Sequence, residues 1–194
     1  MIRLGKLSLY YCDECNVPIL DKKCSCGNEA RHVKLTPPGD ILPAFPFDIT
    51  QIKKVIERQF GHAILPKIVI LNPVPDVDRM EEVIINGRVA GTMRYDIFKK
   101  EYKFLLRPWY ANAIDARKGY VVADEGAVPS ILKSSNLMAP GVKEVAEGIK
   151  KDGEVIVFNE EREVIATGKA CMDGEEMMEG KRGMAGKVRW RGIE

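Results

Sequence analysis

The stretch Glu154-Val-Ile-Val-Phe158, Asn159-Glu-Glu-Arg162, Glu163-Val-Ile-Ala-Thr-Gly-Lys-Ala170 decides how the C-terminal part of this chain is read. Two runs rich in β-branched residues flank four polar ones, a pattern that predicts a hairpin. Outward from it, Tyr120-Val-Val-Ala123 reads as a strand before the hairpin and Lys187-Val-Arg-Trp190 as a strand after it. Between them fit two short helices. Gly126 to Lys133 is one. Gly174 to Glu179 is the other, opened by Asp173 and Glu176 at capping-box spacing. Ser134-Ser-Asn-Leu-Met-Ala-Pro-Gly141-Val142 is a turn-rich link. Many short strands with two small helices predict a compact, barrel-like β domain.

Upstream the pattern changes. Pro37, Pro38, Pro43 and Pro46 mark an extended connector. A helix follows, with Asp48 as its cap, Gln51 three residues on, and Phe47 placed to staple against Ile52. Ile49, Ile52, Val55, Ile56 and Phe60 share one face, and Gly61 ends the helix. Lys67-Ile-Val-Ile-Leu71 reads as a buried strand. Asn86-Gly87 between Val83-Ile-Ile85 and Arg88-Val-Ala-Gly-Thr-Met-Arg94 is a hairpin signal. Lys103 to Arg107 adds a strand, so this segment is a small α+β unit. Its basic residues Arg88, Arg94, Lys99, Lys100, Lys103 and Arg107 alternate with Tyr95, Phe98, Tyr102 and Phe104. They make either a basic outer face or an ordinary solvated one. Asp76, Asp78, Glu81 and Glu82 read as a solvated acidic loop.

At the other end, Cys12, Cys15, Cys24 and Cys26 form Cys-x2-Cys, eight residues, then Cys-x-Cys-Gly. Four soft thiolates presented by two tight turns suit a tetrahedral metal, and filling all positions with protein makes the site structural. Gly27 supplies the backbone freedom that such a knuckle needs. The segment is too small for an apolar core of its own, so metal binding would supply much of its folding free energy. Zinc is the expected ion, with iron, two disulfides and free thiols as alternatives, and His32 as a lesser candidate ligand. No βαβ pattern surrounds the first pair, which argues against redox catalysis. The fifth cysteine, Cys171, sits in an apolar run and reads as a small buried hydrophobe.

Composition narrows the function classes. The 194 residues carry 30 Lys and Arg against 28 Asp and Glu, a net charge of +2. Residues 1–60 hold 9 basic and 7 acidic side chains, residues 61–116 hold 8 and 7, and residues 117–194 hold 13 and 14. A nucleic-acid surface must therefore come from local placement of charge. No run approaches the roughly 18 apolar residues of a membrane helix, and Arg3 and Lys6 interrupt any signal-peptide core. The expected location is the cytoplasm, with no membrane partner. Glutamine is confined to Gln51 and Gln59, a bias towards thermophiles. Neither His32 nor His62 has a nucleophile partner in the pattern, and no phosphate-binding P-loop or nucleophile-elbow motif is present. The chain is expected to be non-catalytic.

Residues 117–191 resemble a PUA domain, an RNA-binding pseudo-barrel of tRNA- and rRNA-modifying enzymes. The resemblance rests on Gly126-Ala-Val128, Leu137-Met-Ala-Pro-Gly141-Val142, Lys151-Asp-Gly-Glu-Val-Ile-Val157, Val164-Ile-Ala-Thr-Gly-Lys-Ala170 and Lys181-Arg-Gly183. It departs where Ser134-Ser-Asn136 replaces a loop that often holds glycine. The order of a four-cysteine module, a Thr36-Pro-Pro-Gly-Asp40 connector, an α+β unit and a PUA domain also resembles the N-terminal half of archaeal phosphoadenosine-phosphosulfate-reductase-like proteins. There a PP-loop catalytic domain follows; no such pyrophosphate loop occurs in this sequence.

The fold expected is α+β. A zinc-ribbon module spans 1–36, an α+β pre-PUA domain 37–116, and a mainly β PUA pseudo-barrel 117–194. The resemblance implies binding of structured tRNA or rRNA as a targeting module for modification. By position it implicates Lys133, Ser134, Ser135, Met138, Pro140, Gly141, Lys181 and Arg182, where cations and hydroxyls meet phosphates and a glycine turn allows close approach. The alternative is the substrate-binding part of a PP-loop sulfurtransferase-like enzyme, with the catalytic domain as a separate chain. A DNA-binding zinc protein is disfavoured, because no recognition helix lies between the cysteine pairs.

Overall fold

A computed structural model of the chain describes residues 8–37, 39–75, 77, 79–180 and 182–192. In chain order its elements are β1 (Tyr10–Cys12), β2 (Val17–Ile19), β3 (Arg31–His32), β4 (Leu42–Pro43), α1 (Pro46–Gln59), β5 (Gly61–Ala63), β6 (Ile70–Pro73), β7 (Met80–Ile85), β8 (Arg88–Asp96) and β9 (Glu101–Leu106). There follow α2 (Pro108–Ala111), β10 (Ile114–Ala116), β11 (Tyr120–Ala123), α3 (Val128–Lys133), β12 (Leu137–Met138), β13 (Val142–Val145), β14 (Glu154–Phe158), β15 (Val164–Ala170), α4 (Gly174–Glu179) and β16 (Met184–Arg191). The fold is α+β and mostly strands. Among the described residues, no helix is long and apolar enough to cross a membrane. Contacts divide the chain into two units, Met1–Ile52 with Leu65–Tyr102, and Lys53–Ile64 with Lys103–Glu194.

In the first unit, β2, β1 and β3 form a small antiparallel sheet. The larger sheet has the order β4-β6-β7-β8-β9. Asn86 and Gly87 turn β7 into β8 with φ of 48° and 65°, the positive pair that a tight hairpin needs. Leu9, just before β1, and Tyr11 of β1 share one buried cluster with Val33 and with Ile84 of β7. The ribbon thus borrows its core from the sheet beside it, as a segment with too few apolar residues must.

Three local expectations change in this unit. Pro46 opens α1, two residues before Asp48, as proline does at a first helical position. Asp48 instead reaches back from the first turn and accepts the Phe45 N–H at 2.8 Å. Phe47 is exposed and does not staple. Glu82 is buried in β7, not in a solvated loop: its carboxylate accepts the Thr36 N–H at 2.8 Å, the Thr36 hydroxyl at 2.6 Å and the Asn72 amide at 2.7 Å. A buried carboxylate is tolerable only with such donors. Asp76 and Asp78 lie outside the described residues.

In the second unit, a six-stranded sheet has the order β12-β16-β15-β14-β11-β13. The β11–β14 pair is parallel and the other pairs are antiparallel. The predicted hairpin is present, with Ile156 opposite Thr167. Strands β12 and β13 are the two edges of the sheet, yet only Ala139-Pro140-Gly141 lie between them. Four Cα steps reach about 15 Å at most, whereas the edges of a flat six-stranded sheet stand about 24 Å apart. The sheet must therefore curl until its edges approach, which makes a pseudo-barrel. Its core holds Val121, Ile131, Leu137, Val155, Val157, Ile165 and Met177. Helix α4 carries the expected capping box of Asp173 and Glu176.

Candidate functional site

The cysteine cluster is built by two turns. The Cys15 N–H donates to the Cys12 sulfur at 3.4 Å, which folds the first pair. In the second, Gly27 at φ 94° lets its N–H reach the Cys24 carbonyl, and the Cys24 N–H meets the Asn28 carbonyl, both at 2.9 Å. All four sulfurs lie within 4.8 Å of one another. Cys12 and Cys26 sulfurs stand 3.7 Å apart, and Cys15 and Cys24 sulfurs 3.8 Å apart. A tetrahedral ion with metal–sulfur bonds of about 2.3 Å holds its sulfurs about 3.8 Å apart. The same distances are far too long for disulfides, and all five cysteines are free.

The thiols also compete for protons. The Cys26 N–H pulls the Cys24 thiol down to about 6, while hydrogen bonding to Cys26 pushes the Cys15 thiol up to about 12. Four thiolates at this spacing need a central cation. The donor set and geometry therefore fit a metal. His32 is not a member: it lies on β3 with its ring packed edge-on to Tyr10, centroids 5.2 Å apart. Cys171 is half-buried at the end of β15, its thiol turned to the Lys169 carbonyl. Arg31 fastens the cluster to the β7–β8 turn, binding Asp13 at 2.8 Å and the Gly87 carbonyl at 3.0 Å.

The residues implicated in RNA contact gather around the edge strand β12. Lys133, Ser134 and Ser135 are exposed at the end of α3, where the Ser134 and Ser135 N–H groups both turn back to the Ser130 carbonyl. Met138 is 47% exposed and pairs with Met184, itself 38% exposed. Pro140 is exposed, and a Cβ on Gly141 would stand 2.7 Å from the Ala127 Cβ, so only glycine lets this turn lie against α3's start. Arg182 is exposed just before β16, and the Ala139 N–H binds the Gly183 carbonyl at 2.9 Å. Lys181 lies outside the described residues.

Two further cations flank this edge. Lys187 is exposed on β16. Arg191 reaches from the end of β16 to the Ile131 carbonyl at 2.7 Å and the Ser135 carbonyl at 3.4 Å, fixing the α3–β12 link. Sequence alternation could not separate Lys187 from Arg189, because β16 carries a bulge. Trp190 faces Thr167 and Val188 faces Gly168, leaving Arg189 as the extra residue. Arg189 binds the buried Glu154 carboxylate instead. Lys133, Arg182, Lys187 and Arg191 have no carboxylate partner among the described residues. By contrast, Lys143, Lys150, Arg162, Lys169 and Arg189 each meet one.

A curled sheet of this order, capped by two short helices, defines a small pseudo-barrel. Residues 119–190 match the family model of the PUA domain. It is 31% identical over 194 residues to an uncharacterized protein of Methanocaldococcus jannaschii, matching 96% of this chain and 40% of that one. The chain thus spans less than half the length of this relative. It is 31% identical over 90 residues to a probable tRNA pseudouridine synthase B of Archaeoglobus fulgidus, which covers 46% of this chain and 27% of the enzyme. The crystal structure of a hypothetical protein from Pyrococcus horikoshii superposes with a TM-score of 0.62 at 29% identity, covering 79% of this chain and 95% of that one.

Proposed function

We propose that this protein binds structured RNA, most plainly tRNA, through the β12 edge of its PUA domain and acts as a non-catalytic targeting module for RNA modification. The observation that carries the reading is the sorting of charge among the described residues: Lys133, Arg182 and Lys187 around β12 lack carboxylate partners, while Lys143, Arg162 and Lys169 elsewhere on the barrel each meet one. Unpaired cations beside hydroxyls and an exposed Pro-Gly turn suit a phosphate backbone. The likeness to a probable tRNA pseudouridine synthase supports the choice of RNA class. Lys133, Ser134, Ser135, Met138, Pro140, Gly141, Lys181 and Arg182 form the contact set of this proposal. The four-cysteine cluster holds a structural zinc ion that folds the N-terminal ribbon.

A second reading is the substrate-binding part of a longer enzyme, since nearly the whole chain aligns with 40% of a longer relative. In that case the catalytic chemistry belongs to a further domain or partner chain.

The test is filter binding of the full chain to total tRNA at two salt concentrations. Saturable binding is expected, with a modest salt slope because few phosphates are neutralised. Lys133→Ala and Arg182→Ala should each weaken binding and reduce the slope by about 1. Absence of binding at low salt, or variants that bind as wild type, would overturn the reading.

A further inference from the structure

The tip of the β8–β9 hairpin carries chemistry that the PUA edge does not use. Asp96-Ile-Phe-Lys-Lys100 turns one strand into the next. The Asp96 carboxylate accepts the Phe98 and Lys99 N–H groups, both at 3.1 Å, and Lys100 closes the turn at φ 51°. The loop is therefore ordered by its own side chain. This order holds Phe98 outward at 95% exposure. Leaving such a ring in water forgoes the favourable burial of a large apolar side chain, and a turn built on Asp96 has no need of phenylalanine. Lys99 and Lys100 are exposed beside it and have no carboxylate partner among the described residues. Below the tip, Tyr95 and Tyr102 pack edge to face at 5.0 Å, with the Arg79 guanidinium 4.8 Å from the Tyr95 ring.

We infer that this tip is a second RNA-binding element, in which Phe98 stacks on an unpaired base while Lys99 and Lys100 meet the flanking phosphates. The inference rests on the RNA reading above and adds recognition of a single-stranded nucleotide by stacking. Stacking needs a bare aromatic face, and every base offers the complementary one. The adjoining ammonium groups match the phosphate charge. The apolar part, Ile97 and Phe98, is too small to hold a membrane surface, where binding grows with buried apolar area.

The experiment uses the full chain and a single-stranded RNA of about ten nucleotides carrying a fluorescent base analogue, with total tRNA in parallel. Binding with quenching of the analogue is expected. Phe98→Ala should weaken single-strand affinity about 10-fold, within the range of one stacked base. Phe98→Trp should retain it, and Phe98→Leu should lose as much as alanine. Lys133→Ala should weaken tRNA binding yet leave quenching intact. If leucine preserves affinity, the contact is apolar and not stacking, and the inference fails. It also fails if Phe98→Ala changes nothing while Lys133→Ala still weakens tRNA binding; that outcome leaves the PUA reading standing. No RNA binding at all sinks both. Phe98-dependent sedimentation with phosphatidylserine vesicles, without quenching by RNA, would assign the tip to a membrane instead.

Discussion

Gly87 of the β7–β8 turn lies directly against Tyr11 of β1: a Cβ at position 87 would stand 2.4 Å from the Tyr11 Cβ. The glycine that the turn needs for its positive φ is also the space into which the ribbon packs. The Arg31 bond to the Gly87 carbonyl locks the same junction. The four-cysteine ribbon and the hairpin are thus one packing problem.

Gly87→Ala should lower stability by about 2–4 kcal/mol, combining left-handed strain with overpacking. Asn86→Gly, which relaxes φ without adding atoms, should be tolerated. Urea denaturation of both variants, followed by far-UV circular dichroism, checks the contrast.

Removing the metal should unfold the ribbon and leave the PUA barrel folded. Elemental analysis should find one zinc per chain. Chelation, or Cys12→Ser, should lose the proton signals of residues around β1 to β3 while those of β14 and β15 persist. Affinity should fall as pH drops, because protons compete with the ion for the thiolates.

Thr36→Val removes a hydroxyl that donates to the buried Glu82 carboxylate at 2.6 Å. A hydrogen bond to a charged group contributes about 1.5–3 kcal/mol, so the unfolding midpoint should fall accordingly. Thr36→Ser, which keeps the donor, should recover most of the loss.

The Lys151 N–H and the Lys150 ammonium hold the Asp173 carboxyl below its ordinary value. A depressed folded-state value means stability that is complete above the ordinary carboxylate range, about pH 4, and lost as pH falls through the lower folded value. Thermal midpoints measured between about pH 2 and 5 should drop along this limb. Asp173→Asn, which caps but does not titrate, should flatten it.

Local chemistry was written in the sequence wherever neighbours in the chain decide the outcome. Asn86-Gly87 fixed a turn, Asp173 and Glu176 a helix start, and the cysteine spacing a set of sulfurs at metal distance. The strand runs 154–158 and 164–170 paired as their β-branched residues require. Only the tertiary structure decided the rest. Edge strands β12 and β13 approach because three residues cannot span a flat sheet, and the β12–β16 pairing sets Met138 opposite Met184 and brings Arg182 to the same edge. A bulge sent Arg189 to Glu154 and left Lys187 in solvent. Glu82 looked like a loop acid and became a buried acceptor, because its donors Thr36 and Asn72 are distant in sequence. Spacing along the chain fixes short-range geometry, whereas charge pairing and exposure depend on which distant segments the packed sheets bring together.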